Sequence, residues 1–234
     1  MENYQTCGNC GEKNALHALT CNSCRAYLRE RVVNIDLGNF IFKLIEEPFN
    51  SMRRVIFAEH KNYSILFFIL LLLKIFSMTF ILRNFLPVQK FYSQFFSVYF
   101  VNIIVYVTVI FLVWNSLLYG VHKLMNLDVR YKDQLATSVF ASMPVILGFL
   151  ILIPVEIALF GMFWFTFNPS PFFIKTNPAY VLYGVEAILL IWTLFLFYVQ
   201  FHVRTKKVIY SLVAAILTFF VLFGLPLIVP IIYF

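Results

Sequence analysis

Long apolar runs alternate with short polar breaks along this chain, and the first run, Tyr63 to Leu82 (YSILFFILLLLKIFSMTFIL), frames the rest. It is interrupted by a single charge, Lys74. At ~1.5 Å per residue, its roughly twenty residues match a hydrocarbon core of about 30 Å. Four further runs of the same kind follow, near Phe96 to Tyr119, Ala136 to Phe163, Ala179 to Phe201 and Val208 to Tyr233, with proline and charge collected between them. The third is long enough to tilt, or to kink near Pro144 and Pro154; Pro226 and Pro230 are expected to kink the last. The pattern predicts an all-α integral membrane protein with five transmembrane helices.

Ahead of the first run the period changes. Leu37, Phe40, Ile41, Leu44, Ile45, Phe49, Met52, Val55 and Ile56 recur at three- and four-residue steps, with Lys43, Glu46, Asn50, Arg53 and Arg54 mostly on the other side. Pro48 disfavours helix at Glu47 and divides this amphipathic interfacial segment into two short helices, the first capped by Asp36. The segment can pack on the membrane body or lie in the headgroup plane beside anionic lipid.

Composition agrees with the pattern. Hydrophobic residues make up 62% and charged residues 12% of the 234 positions, against about half and about a quarter in soluble domains. The first thirty residues have no apolar h-region, which predicts no cleavable signal peptide. The net charge of +7 is explained by topology. Fourteen Lys/Arg lie before the first span or in the second-to-third and fourth-to-fifth connections (Lys123, Arg130, Lys132; Arg204, Lys206, Lys207), against three (Arg83, Lys90, Lys175) on the other side. The positive-inside rule then puts the N-terminus in the cytosol and the C-terminus outside. The aromatic loop FNPSPFFIKTNP falls at the outer interface.

Residues 7 to 24 read CGNCGEKNALHALTCNSC. Two Cys-x-x-Cys pairs (Cys7, Cys10, Cys21, Cys24) supply the tetrahedral sulfur set that zinc prefers, and four protein ligands close the shell, so one structural Zn2+ is expected. Disulfides are the alternative, and a cytosolic location opposes them. Gly8 and Gly11 suit the first knuckle; Arg25 stands where Gly11 would recur, predicting a less regular second turn. His17 between the knuckles reads as an ordinary loop or partly packed histidine rather than a fifth ligand. The organisation is a zinc-ribbon head over 1–31, the interfacial segment over 32–62 and the membrane domain over 63–234.

Within the spans, Lys74, Glu156 and Glu186 fall at comparable depths and are functional candidates because ionisable groups are costly there. They form either a structural ion pair, helped by Asn102, Asn115 and Gln200, or a proton- or cation-coupled path. His122 and His202 sit at cytosolic span ends as interface anchors; Gly148, Gly161 and Gly224 read as close-packing sites. No phosphate-binding Gly-rich loop, His-Glu-x-x-His helix or Gly-x-Ser-x-Gly elbow occurs, so no catalytic residue is assigned and no enzyme activity is expected. Nucleic acid is not expected as a partner, because the head's few basic residues are nearly balanced by acidic ones.

The entry segment FIFKLIEEPFNSMRRVI, the second span ending in WNSLLYGVHKLMN, the segment YKDQLATSVFASMPVILG and the fourth span YGVEAILLIWTLFLFYVQFHV before a basic turn carry a resemblance. Over about residues 36 to 234 the chain resembles the YIP-domain family of Ypt/Rab-interacting membrane proteins. The resemblance implies a five-span helical fold with the small residues Ala136, Ser138, Ala141 and Ser142 before Pro144 in the third span. In eukaryotic members it implies vesicle-trafficking roles through GTPase binding. The zinc ribbon replaces the longer cytosolic segment of those members, so that role is not carried over, and the chain looks more like a prokaryotic cytoplasmic-membrane protein. A weaker resemblance is to the Arv lipid-homeostasis family, which also carries a four-cysteine head. The resulting expectation is a non-enzymatic membrane-organising or adaptor protein, in contact with the lipid bilayer, whose head recruits a cytosolic protein partner. The alternative is a transporter, channel or lipid-handling protein using Lys74, Glu156 and Glu186. The oligomeric state is left open.

Overall fold

A computed structural model describes residues 4–15, 17–29, 32–85 and 96–232. Its first element is a small antiparallel hairpin, β1 (Tyr4–Thr6) and β2 (Lys13–Ala15), pairing Tyr4 with Ala15 and Thr6 with Lys13. Two short helices follow, α1 (Leu37–Glu46) and α2 (Pro48–Phe57). The Asp36 side chain accepts from the Asn39 N–H at 3.4 Å, and Glu47 ahead of Pro48 leaves the helical region with φ −134° and ψ 66°, so cap and break fall where the sequence places them.

Phe40 and Leu44 of α1 and Met52, Val55 and Ile56 of α2 are buried, and α2 lies on the membrane body. Phe42 and Ile45 stay 73% and 61% exposed on the outer face of α1. The interfacial segment therefore has two apolar sides, one packed on the spans and one left for lipid.

Among the described residues, five helices are long and apolar enough to cross a membrane. They are α3 (Ser64–Phe85), α4 (Phe96–Leu124), α6 (Met143–Phe160), which the more polar α5 (Tyr131–Ala141) leads into, α9 (Thr176–Thr205), and a last span of α10 (Val208–Phe219), a π-helical turn over Phe220–Gly224 and α11 (Leu225–Ile232). The protein is a multi-pass, all-α membrane protein with a small cysteine ribbon.

The helix leading into the third span starts earlier than the apolar run, at Tyr131, and breaks at Ser142. Pro144 has no N–H to give the Phe140 carbonyl and its ring crowds that carbonyl, so the helix restarts at Met143 with Pro144 in its first turn. In the last span the Leu225 N–H reaches back five residues to the Phe220 carbonyl, immediately before Pro226. The Phe220 ring folds over Gly224, where an added Cβ would meet Phe220 Cδ2 at 2.8 Å. Gly148 makes a similar close approach to Leu189 between α6 and α9, whereas Gly161 meets nothing and instead ends α6 with φ +61°. For Gly161 the packing expectation is corrected: it is a turn residue.

Phe40, Phe67 and Phe140 meet edge to face, with centroids 5.0 and 5.5 Å apart, where α1, α3 and α5 converge. The ends of α4 and α9 and the starts of α3, α5 and α10 gather at the head end: Arg130 donates to the Ile56 carbonyl at 3.0 Å and Phe49 packs on His202. Two four-residue helices, α7 (Phe163–Thr166) and α8 (Pro171–Ile174), fold over the opposite end between α6 and α9.

Candidate functional sites: a four-cysteine centre and a charged pocket within the spans

The two knuckles of the head repeat one backbone scheme. The Gly11 N–H bonds to the Cys7 carbonyl at 2.9 Å and the Arg25 N–H to the Cys21 carbonyl at 3.1 Å. Cys7 N–H reaches the Glu12 carbonyl, as Cys21 N–H reaches that of Ala26, both at 2.9 Å. Gly11 and Arg25 share the left-handed conformation, φ +73° and +59°. The irregular second turn expected from Arg25 is thereby corrected, since the paired hydrogen bonds hold Arg25 in a region an L-residue can occupy at modest cost.

The four Sγ atoms lie within 4.8 Å of one another, with Cys7–Cys24 at 3.6 Å and Cys10–Cys21 at 3.5 Å. Disulfides need ~2.05 Å, and all four thiols are free. Tetrahedral ligands at ~2.3 Å from one ion stand about 3.8 Å apart, so the set fits a thiolate-bound metal. The Asn9 N–H at 3.4 Å from Cys7 Sγ and Asn14 Nδ2 at 3.5 Å from Cys21 Sγ are donors that suit anionic sulfur. Backbone donation from Cys24 and Ser23 draws the Cys21 thiol down to about 6. At Cys10 a backbone bond with Glu12 acts downward, but the three neighbouring sulfurs and desolvation outweigh it and push the thiol up to about 12. A metal ion entering the set would displace the thiol protons.

The head is docked. Arg29 donates to the His17 carbonyl at 2.9 Å and the Phe57 carbonyl at 3.2 Å, with its guanidinium over the Phe57 ring. Val32 and Val33 accept from Glu59 and His60 at 3.0 Å. His17 is the partly packed histidine of the two expected forms: it sits against the turn between α4 and α5, where desolvation and then Arg130 lower its pKa against Asp128 and Asp133.

Within the spans the three ionisable candidates come together. Lys74 at mid-length of α3 pairs with Glu186 of α9 at 2.5 Å, and Glu156 of α6, 2% exposed, lies within electrostatic reach of both. They form one end of a cavity of about 420 Å3 that runs along the C-terminal half of α3 past Ser77, Met78, Ile81 and Leu82 to Phe85. That size suits a small-molecule site.

Its remaining wall is aromatic. Trp164, 1% exposed, stacks on Tyr183 at 4.6 Å, and Phe172 stacks on the same ring at 5.4 Å. The outer loop, expected as an interfacial belt, thus turns Trp164, Phe167 and Phe172 onto the pocket. Sequence reasoning missed these rings. Tyr183 carried a usable signal, one helical turn before Glu186 and so on the same face.

No protein-family model, curated protein or solved structure matches this chain. The geometry is therefore its own guide.

A second polar cluster was legible only in fragments. Arg204, buried on α9, donates to the Asp133 carbonyl at 2.8 Å, to Thr137 Oγ1 at 2.6 Å and to Gln134. Gln134 and Ser138 donate onward to Asn115 at 3.3 and 2.7 Å, so Asn115 makes the expected interhelical bonds. Asn102 is exposed, and the Gln200 amide is buried with no hydrogen-bond partner among the described residues. His122, expected at an interface, is fully buried between Phe201 and Tyr210. His202 does lie near the surface, stacked on Tyr198.

Proposed function

We propose that this protein binds, and moves or presents, a small amphiphilic molecule within the outer half of the membrane. The observation that carries this reading is the pocket: a cavity with two carboxylates and one ammonium on its floor, walled by aromatic rings. A tightly packed bundle would have favoured a purely structural ion pair. A cavity opening onto the pair supplies what a structural pair does not need. This favours the transporter or lipid-handling alternative over the adaptor.

The head's role in this reading is to hold one zinc ion on Cys7, Cys10, Cys21 and Cys24, which would supply the small ribbon's missing core and leave no open coordination position. With the basic connections gathered at the head end, the reading places that end in the cytosol and the pocket on the outer side. A membrane body of the YIP-domain type in a prokaryotic cytoplasmic membrane belongs to this reading through the resemblance of the sequence segments around Pro48 and Pro144 alone.

The test is the purified chain in liposomes, following lipid-probe, cation and proton movement beside Glu156→Gln and Glu186→Gln. Movement that both variants reduce is the expected result. Well-inserted protein with no movement and no saturable amphiphile binding would overturn the reading.

One observation keeps recruitment of a cytosolic protein as a second reading: Tyr27 projects from the docked head 79% exposed. If recruitment is real, Tyr27→Ser abolishes capture of the partner while the metal is retained. Equal capture by both proteins would end it.

A further inference from the structure

The ionisable groups lining the pocket do not balance. Lys74 is committed to Glu186 at 2.5 Å, and Glu156 lines the same cavity at 2% exposure. The charges that reach Glu156 are those of Lys74 and Glu186, one attractive and one repulsive. Two acids therefore share one base on the floor. The Trp164 indole is the one neutral hydrogen-bonding group among the influences on Glu156, and it leaves the charge in place, so the carboxylate is balanced only by holding a proton or by meeting a cation. An anion entering would face two carboxylates with one ammonium already paired, which opposes it.

The walls serve the occupant's apolar body. Trp164, Tyr183 and Phe172 form a continuous three-ring stack beside the floor. With their faces stacked on one another the rings offer apolar contact, and the sign of the charge is set by the carboxylates. Among the described residues, the outer end adds Phe167 and Phe85 and no ionisable lining residue. From Lys74 to Phe85, eleven residues of α3 span about 16 Å, which sets the length of an occupant that reaches the floor and fills the pocket.

Depth decides the ligand's form. A bilayer lipid keeps its charged head at the interface, whereas this pocket places its charges at the level of Lys74, half-way along α3. The occupant must carry its charge inward and its apolar body toward the outer end.

We propose that the pocket is a binding site for an amphiphilic organic cation, its ammonium-type head seated against Glu156 and its apolar body against the Trp164–Tyr183–Phe172 stack. This rests on the pocket being a ligand site at all, and the test separates the two.

The probes are dodecyltrimethylammonium, dodecanol and dodecyl sulfate, three molecules with one tail and three head charges. Binding to the full chain in maltoside micelles is measured by equilibrium dialysis, with empty micelles subtracted. The expected result is saturable binding of one cation per chain, at least tenfold tighter than the alcohol, with the sulfate weakest. Glu156→Gln should remove that tenfold preference while leaving alcohol binding in place. Phe172→Leu, which keeps the charges and removes one ring, should weaken cation and alcohol alike, and Glu186→Gln, which leaves Lys74 to neutralise Glu156, should also remove the preference and serves if Glu156→Gln does not yield monodisperse protein. Equal binding of cation and alcohol, tighter binding of the sulfate, or a cation preference unchanged in Glu156→Gln would overturn the charge assignment and leave the pocket reading standing. Saturable binding of none of the three would overturn both.

Discussion

The Lys74 ammonium lies 2.5 Å from a Glu186 carboxylate oxygen, joining α3 to α9 across 112 positions of sequence in the middle of the membrane body. Glu156 stands close enough to act on both. The pair is therefore part of an uneven triad, and its members should respond unequally to removal.

Removing Lys74 leaves two buried carboxylates facing each other, while removing the Glu186 charge leaves Lys74 a second acid to turn to. Lys74→Met is expected to cost about 3–5 kcal/mol, the range for orphaning a buried charge, and Glu186→Gln about 1–2 kcal/mol. Unfolding of the two variants in mixed micelles with rising sodium dodecyl sulfate reads the order directly. Equal losses would mean that Glu156 does not share the ammonium.

The cysteine centre makes a different prediction because its elements cannot build a core without the metal. Zinc analysis should find one ion per chain. Cys10→Ser or strong chelation should remove it and raise amide hydrogen exchange at Gly11 and Arg25, whose N–H groups close the two knuckles, by more than tenfold. Exchange around Lys74 and Glu186 should not change. Loss of protection throughout the spans would show that the head is part of the membrane core's folding unit.

What was readable beforehand follows from how each feature is encoded. A span is written in length and composition, so Ser64–Phe85 and Thr176–Thr205 announce themselves, and Pro48 splits α1 from α2 by a local steric rule. The break at Ser142 was half-legible: Pro144 marks it, but Tyr131 to Leu135 are too polar to read as part of the same rod. Comparable depth brought Lys74, Glu156 and Glu186 to one level, since depth is a count along each helix. Which faces meet depends on how the helices rotate against one another, which no run of residues records. Arg204 shows the cost: counted as one more basic residue beside Lys206 and Lys207, it turns inward and disappears from the surface.

Arg204 therefore carries its own test. Its guanidinium serves the Asp133 carbonyl, Thr137 and Gln134 together, a fork that a lysine ammonium cannot reproduce. Arg204→Lys is expected to lose about 2–3 kcal/mol in the same unfolding measurement, and Arg204→Met more, by stranding the acceptors of α5. Lys207→Met, on the exposed turn, should lie within about 0.5 kcal/mol of the unaltered protein. If Arg204→Lys matches Lys207→Met, the buried network contributes little.

Docking of the head and of the interfacial segment on the spans should tighten as pH rises, because His17 of the head and Lys61 of the segment both lose proton affinity on burial. Lys61 donates to the Val55, Ile56 and Ala58 carbonyls at the end of α2 and pairs with Asp133 of α5 at 3.1 Å. Desolvation lowers its pKa to about 8 against the pull of Asp133, with Arg130 and Lys132 adding to the lowering. His17 is also lowered, first by desolvation and then by Arg130, with Asp128 and Asp133 opposing. In each case the undocked state binds more protons between the two pKa values, so stability rises with pH across that interval. For Lys61 the interval runs from about 8 to 10.5, the usual lysine value, and it contributes nothing to the slope at neutral pH. For His17 it lies just below 6.5, so acidification from pH 7.5 to 5.5 should loosen the head. The reporters are the Glu59 and His60 N–H groups, bonded at 3.0 Å to Val32 and Val33, whose exchange relative to the intrinsic rate should quicken over that range. His17→Asn should flatten the change. Zinc content measured at both pH values separates docking from loss of the ion, because protons compete for the same four thiolates. A pH response that tracks zinc content and persists in His17→Asn would assign the switch to the cysteines.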